Sequence, residues 1–282
     1  MEAVMSRVSA SLPFRQDSIS AGDSDRVASL REAQEIIYDA WETPDPRERV
    51  TLAKEALAFS DLCADAFLVL ADKSKSVIEA RNYYERAVAA GESAVRLELG
   101  PDAFTEQEGY FWGILETRPY MRALASLSEC MWEMGEREES VALLRRMLRL
   151  NPNDNQGMRS FLVSKLFALD DLTGVADILE TYKEPFFCEW NWNMALLLFR
   201  RERASAAADS ALAEALENNR FVSELLIGTR RIPAAMPQYY SPGSLEEAVT
   251  YAFLNEINWS GTKGALFWIA EKRRGNNRSA HL

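Results

Sequence analysis

The sequence is almost without histidine: among 282 residues, His281 is the only one, one position before the C-terminus. Histidine acid–base chemistry, Ser-His-Asp and Cys-His nucleophile systems and most zinc sites depend on that residue type. The sequence also lacks a GxxxxGK[ST] phosphate loop and a GxGxxG nucleotide fingerprint. We therefore predict no catalytic residue, no metal site and no cofactor.

Cysteines and long apolar runs are scarce as well. The three cysteines, Cys63, Cys130 and Cys188, form no CxxC pair, and a chain of this length does not need a disulfide framework. No apolar run approaches the roughly 20 residues of a membrane-spanning helix, and the N-terminus shows no secretory h-region. These absences predict a cytoplasmic protein that binds no membrane.

Basic residues are outnumbered, with 32 Lys and Arg against 43 Asp and Glu. Because binding a phosphate backbone requires a clustered positive field, we predict no nucleic-acid partner. A helical-repeat RNA reader would need a basic stripe along one face of the repeats. Another protein or a peptide is the expected partner, and the sequence does not indicate the oligomeric state.

The sequence does contain strong helical periodicity. In "MRALASLSECMWEMGEREESVALLRRMLRLNP", apolar residues recur at helical spacing on both sides of Gly135, with Leu124 and Leu127 before it and Val141 and Leu144 after it. The glycine permits a tight reversal, and the final Asn-Pro pair ends the second helix. This stretch therefore predicts a helical hairpin.

The same pattern recurs about every 34 residues, which predicts about five stacked hairpins. Asp45-Pro46 is a capping signal for one helix, and the box Ser244 to Glu247 starts another. Residues 1–24 predict a flexible arm, and the alternative is a sorting or partner-binding peptide of similar composition. The predicted organisation is a flexible arm (1–24), two hairpins (25–98), an aromatic-rich insertion (99–117), three hairpins (118–220), an extended linker (221–243), a C-terminal helical cap (244–273) and a flexible tail (274–282).

Small residues on the second helices (Ala56, Ala89 and Ala215), a glycine at the turn and a proline near the repeat end resemble the tetratricopeptide repeat (TPR) family over roughly residues 25–220. The family's tryptophan, glycine and tyrosine positions in the first helix are mostly replaced. The segments "GYFWGILETRPYMRALA", "RLNPNDNQGMR" and "YYSPGSLEEA" resemble uncharacterised bacterial TPR proteins related to the suppressor-of-tumorigenicity family, over residues 80–270.

This resemblance implies an all-α fold, a right-handed α-solenoid whose concave groove is lined by the first helix of each hairpin. Such proteins usually serve as non-catalytic protein–protein interaction scaffolds or adaptors that hold a peptide or helix. The repeat count places these candidate partner-binding residues in the groove: Arg122, Glu129, Trp132, Gln156, Arg159 and Trp192. The same count places Glu189 there.

Two arginines and two tryptophans in one groove would suit a peptide that carries a carboxylate and an apolar anchor. The alternative for Trp132 and Trp192 is packing between repeats. If the groove interpretation is right, replacing Arg122 and Arg159 together by alanine weakens partner capture and leaves the helical content unchanged.

The insertion adds two further candidates, Tyr110 and Trp112, as part of a lid or binding wall. The alternative is a structural plug, with Phe111 and Trp112 buried and Glu116 paired with Arg118. The linker with Tyr239 and Tyr240 could instead lie across the groove and fill it.

A different class of function remains open, an enzyme or enzyme subunit with carboxylates in a cleft between the insertion and the cap. Its candidates are Glu108, Glu116 and Glu129. A cluster of carboxylates with strongly raised pKa values in a cleft would indicate it. We predict the interaction protein because the sequence specifies neither a nucleophile nor a metal.

Overall fold

The computed structural model describes the backbone of residues 21–279 and the side chains of residues 22–274. It divides into two compact units, residues 1–134 and 135–282, and each is described by itself. Every regular element within the described backbone is helical. The predicted all-α fold class is confirmed for the described residues. Most of the predicted arm, and His281, lie outside the described residues.

In the first unit, the described backbone begins at Ala21, within the predicted arm. Its helices are α1 (Ala21–Glu42), α2 (Pro46–Phe59), α3 (Ala64–Ala71), α4 (Val77–Leu99), α5 (Ala103–Glu106) and α6 (Arg118–Glu133). Two 3₁₀ turns, Phe111–Gly113 and Leu115–Thr117, connect α5 to α6. The Asp45 carboxylate accepts the backbone N–H of Arg47 at 2.8 Å, and Pro46 is the first residue of α2. Local chemistry therefore starts α2 where the sequence predicted.

Helices α1 and α2 pack as one pair, α3 and α4 as a second, and α4 also packs along α6. Small residues allow these close approaches: Ala33, Ala53 and Ala56 are fully buried in a core that includes Ile37. A Cβ atom added to Gly91 of α4 would lie 2.9 Å from the Cα atom of Tyr120 in α6. Glycine at this position thus permits α4 and α6 to touch through their backbones.

Some residues of the aromatic-rich insertion are buried in the first unit, and others are exposed. Phe111 is fully buried, and the ring centroids of Phe104 and Phe111 lie 5.2 Å apart. Tyr120 meets Phe104 edge-on at 5.2 Å. The buried Phe111 is what the plug alternative expects, whereas the Tyr110 side chain is 68% exposed.

The second unit contains eight helices within the described residues. They are α7 (Arg137–Leu150), α8 (Met158–Ala168), α9 (Leu172–Thr181), α10 (Cys188–Glu202), α11 (Ala206–Asn218), α12 (Arg220–Leu226), α13 (Leu245–Ser260) and α14 (Ala265–Ser279). Side-chain oxygens cap several of them; Asp171, for example, accepts the N–H of Gly174 at 2.8 Å, and Ser205 accepts that of Ala208 at 3.1 Å. Helix α14 continues to Ser279, into the stretch predicted as a tail from residue 274.

Helix α12 is absent from the sequence interpretation, which has an extended linker over 221–243. Asn219 explains the difference, because it ends one helix and starts the next. Its backbone N–H donates to Ala215 O at 3.0 Å, while its side-chain oxygen accepts the N–H of Phe221 at 3.1 Å. Extended backbone and turns follow only after Leu226.

The last two helices do more than end the chain. Helix α14 packs on α11, where Trp268 Nε1 donates to Asp209 Oδ1 at 2.8 Å. Helix α13 packs against α8 and α10, the first helices of two predicted hairpins. Ser164 Oγ of α8 donates to Leu254 O of α13 at 2.6 Å. The face of α8 and α10 that was predicted to line the groove therefore packs against α13.

Candidate functional site

In the first unit, Arg122 is held by an internal carboxylate. Its Nε and Nη2 atoms donate to the two carboxylate oxygens of Asp65 at 2.9 and 2.5 Å, and Asp65 is fully buried. Gln34 Nε2 donates to the same carboxylate at 2.9 Å, and the guanidinium carbon of Arg122 lies 5.2 Å from the ring centroid of Trp41. The guanidinium predicted to bind a partner's carboxylate is thus already bound bidentately within its own unit.

The other candidates of the first unit lie in different surroundings. Glu129 is exposed and Trp132 is half-buried, both on α6. Trp112 is half-buried, with the Arg118 guanidinium carbon 5.1 Å from its ring centroid, and Arg118 Nε donates to Trp112 O at 3.1 Å. Partner binding by these residues and by Tyr110 stays a prediction.

In the second unit, Trp192 corrects the groove assignment. Its side chain is fully buried, with ring centroids 5.7 Å from Trp259 and 6.4 Å from Tyr251, both on α13. Trp192 is therefore a core residue, because α13 covers the face of α10 that the repeat count assigned to a partner. Gln156 is half-buried, and its side-chain oxygen has no hydrogen-bond partner among the described residues.

Arg159 lies in a different setting, at the wall of a pocket. The pocket has a volume of about 110 Å³ and is enclosed within the second unit by α8, α9, the start of α10, Tyr240 and α13. Its aromatic lining consists of Tyr182, Phe187, Trp190, Tyr240 and Tyr251. Its charged lining consists of Arg159, Glu184, Glu189 and Glu247.

The Arg159 guanidinium is shared between two carboxylates. Its Nη1 and Nη2 atoms donate to Glu184 at 3.3 and 2.5 Å, and its Nε lies 3.7 Å from Asp154. The Asp154 carboxylate accepts the backbone N–H groups of Met158 and Arg159 at the start of α8, at 2.7 and 3.1 Å. Burial raises the pKa of Asp154, and these two N–H groups together with the Arg159 charge oppose that rise.

Glu189 stands at the first turn of α10, on the floor of the pocket. Ser160 Oγ donates to Glu189 Oε2 at 2.8 Å. Burial raises the pKa of Glu189 above its ordinary value, while the hydrogen bond from Ser160 and the positive charge of Arg159 oppose that rise. A carboxylate offers about four lone-pair sites, so the Ser160 hydrogen bond leaves Glu189 able to accept from a ligand.

Glu247 has a structural role at the back of the pocket. Its Oε1 accepts the N–H of Cys188 at 2.9 Å, and its Oε2 accepts the N–H of Gly243 at 2.8 Å and the Nδ2 of Asn219 at 2.9 Å. The predicted capping residue Ser244 also accepts the N–H of Glu247, at 3.1 Å. Three donors from separate segments therefore use the Glu247 carboxylate to fix α10, α13 and the linker together.

Behind this lining, buried polar atoms remain without partners among the described residues. Asn255 is 1% exposed and lines the pocket, and its Nδ2 donates to Tyr251 O at 3.2 Å while its Oδ1 accepts no hydrogen bond. Trp192 Nε1 and Asn193 Nδ2 are buried and unpartnered as well. Because most buried polar groups in proteins are hydrogen-bonded, an unpartnered acceptor beside a pocket indicates a place for a donor.

Sequence reasoning found Arg159 and Glu189 by repeat position but missed the rest of the pocket. Tyr182 follows α9 directly, and Tyr240 belongs to a linker for which only groove filling was considered. The signal that could have found Asn255 is its helical spacing from Tyr251, since residues four apart lie on the same face of α13.

Within residues 22–274, no group of three or more His, Cys, Asp or Glu side chains has an arrangement that could hold a metal ion. None of the described helices is both long and apolar enough to cross a membrane.

Comparisons with known proteins relate the chain to one family. The family model described as "ST7 protein" matches residues 15–184. "Suppressor of tumorigenicity 7 protein-like" of Gallus gallus is 24% identical over 265 residues, covering 84% of this chain and 46% of that protein. "Protein ST7 homolog" of Caenorhabditis elegans is 25% identical over 305 residues, covering 90% of this chain and 54% of that protein. The chain thus spans about half the length of the curated relatives it matches.

Among solved structures, the crystal structure of YrrB, described as a TPR protein with an unusual peptide-binding site, is similar to this chain. The two chains are 17% identical with a TM-score of 0.43, and the match covers 70% of this chain and 87% of the YrrB chain.

Proposed function

This chain belongs to the ST7 family, and we propose that it is a non-catalytic interaction protein whose second unit holds a segment of a partner protein in the pocket between α8, α9, α10 and α13. The predicted relation to the suppressor-of-tumorigenicity family is confirmed, although the family model covers residues 15–184 and not the predicted 80–270. The likeness to bacterial members stays a prediction.

The pocket carries the proposal, because it combines an aromatic lining, charged groups and an unpartnered buried acceptor, Asn255 Oδ1, within one unit. Aromatic and arginine side chains dominate the energetics of protein interfaces. A volume of about 110 Å³ accommodates one side chain of a partner, whereas a whole helix is about 10 Å wide. The partner segment is therefore anchored by a single residue at the pocket.

Arg159 has a supporting role in this proposal. Its guanidinium orients Glu184 and lies 5.3 Å from the ring centroid of Tyr182, so it fixes two side chains of the pocket wall. The proposal also places the protein in the cytoplasm. The three cysteines, all free and buried, suit a reducing compartment.

The enzymatic alternative has one observation in its favour, the raised pKa of Glu189 beside Ser160 in a concave site. The carboxylates predicted for catalysis, Glu108, Glu116 and Glu129, belong to the first unit and do not line this pocket. Turnover of a substrate by the wild-type protein, lost in Glu189→Gln, would select the alternative.

The proposed function is tested by blocking the pocket with a large side chain. Thr250 lines the pocket on α13, and its Oγ1 donates to the carbonyl of Glu246 at 3.0 Å. We expect Thr250→Trp to reduce cross-linked capture of partner proteins at least tenfold, because the indole would occupy the space of the anchor residue.

Thr181→Trp is the matched control, since Thr181 is an exposed helical threonine whose Oγ1 makes the same contact with the carbonyl of Asp177, at 2.7 Å. Thr181 does not line the pocket, so its variant should keep full capture. Equal capture by both variants, with equal thermal melting, would show that partners do not use the pocket.

A further inference from the structure

We infer that the anchor residue of the partner is basic: the pocket binds the ammonium group of a lysine or the guanidinium group of an arginine, an inference that rests on the proposed function. The lining contains three carboxylates, Glu184, Glu189 and Glu247, and one cation, Arg159. That cation is already bound bidentately to Glu184. An anion entering the pocket would therefore face unopposed negative charge.

A second, independent observation comes from Asn255. Its Nδ2 group donates to the carbonyl of Tyr251, four residues earlier on α13, and this contact fixes which end of the carboxamide is the oxygen. Asn255 lines the pocket, and its oxygen is buried without a donor among the described residues. A buried acceptor without a donor is costly, and an N–H group of the ligand would remove that cost. Ammonium and guanidinium groups consist only of donors.

The carboxylates of the pocket differ in how much of their hydrogen-bonding capacity is already used within the protein. Glu247 accepts from Cys188, Gly243 and Asn219, so its hydrogen-bonding capacity is used by the fold. Glu189 accepts from Ser160 and lies at the pocket floor. Glu189 is therefore the residue that would pair with the ligand's charge. The raised pKa of Glu189 is what a carboxylate shows when it is buried without a full counter-charge.

The aromatic lining supports the same chemistry. Tyr182, Trp190 and Tyr240 surround the pocket, and Trp190 Nε1 donates to Leu179 O at 2.9 Å, which fixes its ring. Aromatic faces attract cations, and such contacts are stronger where water is excluded. Aromatic rings also pack against the methylene stem of a lysine or arginine. The pocket thus offers an apolar channel for the stem and acceptors for the head group.

The test uses the full chain and four capped amino acids at pH 8: the N-acetyl N′-methylamides of lysine, arginine, norleucine and glutamate. Binding is followed by the indole N–H signal of Trp190 in NMR spectra and by calorimetry. We expect the lysine or arginine amide to bind at least tenfold more tightly than the norleucine amide, which has a similar stem without the charge. The difference between the lysine and arginine amides identifies the head group.

Glu189→Gln should weaken binding of the preferred cation at least tenfold, because glutamine keeps the shape and the Ser160 contact but removes the charge. Glu246→Gln is the control, since Glu246 is exposed in the first turn of α13 and does not line the pocket. It should bind as wild type. Thermal melting of each variant checks that it is folded, and Thr250→Trp should also lose binding of the cation.

Stronger binding of the glutamate amide would overturn the inference and assign the pocket to an anion held by Arg159. Equal binding of the lysine and norleucine amides, or no binding of any probe, would overturn it too. The proposed function is judged separately by the Thr250→Trp capture experiment. If that experiment succeeds while the cations fail, the pocket takes a partner residue of another chemistry.

Discussion

The two units use arginine in opposite ways. In the first unit, Arg122 pairs with Asp65, which is fully buried and receives a second donor from Gln34. In the second unit, Arg159 pairs with Glu184, whose side chain is 41% exposed, and lies at a pocket. A buried carboxylate depends on its arginine, whereas a partly exposed one can be solvated by water. The two arginine side chains are similarly exposed, at 30% for Arg122 and 26% for Arg159. They differ in their carboxylate partners: Asp65 is fully buried, whereas Arg159 binds the partly exposed Glu184 and lies 3.7 Å from the buried Asp154.

The largest effect on stability is expected from removing the arginine of the Arg122–Asp65 ion pair. Arg122→Ala would leave the Asp65 carboxylate buried with only Gln34 as a donor, and we expect a loss of about 3–5 kcal/mol in the free energy of unfolding. Urea unfolding followed by far-UV circular dichroism measures the loss. This expectation departs from the sequence-based one, in which the double alanine variant keeps its helical content.

Arg26→Ala is the control for Arg122→Ala. The Arg26 side chain is 60% exposed and lies 3.8 Å from Asp23 on the same helix, so its removal should change stability by less than about 0.5 kcal/mol. If both variants lose the same small amount, the Arg122–Asp65 pair does not stabilise the first unit and the comparison between the units fails.

The second prediction concerns Glu98, a buried carboxylate of the first unit whose arginine neighbour is more distant than that of Asp65. Glu98 lies 3.8 Å from Arg31, and its side chain is 8% exposed. Burial and the neighbouring Glu116 raise the pKa of Glu98 to about 7, against the pull of Arg31. Between its ordinary pKa of 4.5 and about 7, the folded protein binds this proton more tightly than the unfolded chain, so stability falls as pH rises through that window.

Glu98→Gln removes the charge and should therefore stabilise the protein at high pH. Allowing for solvent screening, we expect a gain of about 1–3 kcal/mol at pH 8 and less than half of that at pH 5.5. Urea unfolding at the two pH values measures the difference. Glu32→Gln, at an exposed position on α1, should show no pH-dependent gain. A destabilised Glu98→Gln protein at pH 8 would contradict the assignment.

Sequence reasoning predicted what is local in this fold. Asp45-Pro46 and Ser244 start helices because their side chains reach backbone groups two or three residues away. The helical hairpins follow from periodicity and from turn residues such as Gly135, which adopts a φ of +86°. Helix α12 was missed because Asn219 satisfies the end signal of one helix and the start signal of another at once.

What sequence reasoning missed depends on contacts between distant residues. The partner of Arg122 is 57 positions away, and Ser164 meets Leu254 across 90 positions. A repeat count assigns a face to each helix but cannot tell which faces a later helix will cover. The repeat count therefore placed Trp192 in the groove, with packing between repeats as the alternative, and α13 buries it against Trp259. The pocket at Arg159 lies between that face and α13, since Tyr251 and Asn255 of α13 belong to its lining.

The smallest effect on stability is expected for Arg159→Ala. Its effect on ligand affinity tests whether Arg159 differs from Arg122 in function. Arg159→Ala should lower the free energy of unfolding by less than about 1 kcal/mol, because Glu184 is partly exposed and Asp154 keeps its two backbone donors.

Removing the Arg159 cation deletes the one positive charge among the described residues that line the pocket. At pH 8 the affinity for the lysine amide should therefore rise about two- to fivefold. Arg149→Ala, an exposed position on α7 with the same change in net charge, should leave that affinity unchanged, which separates a local effect from the overall charge. A fall in affinity would contradict the expected electrostatic effect and would show that Arg159 supports cation binding by holding Glu184 in place.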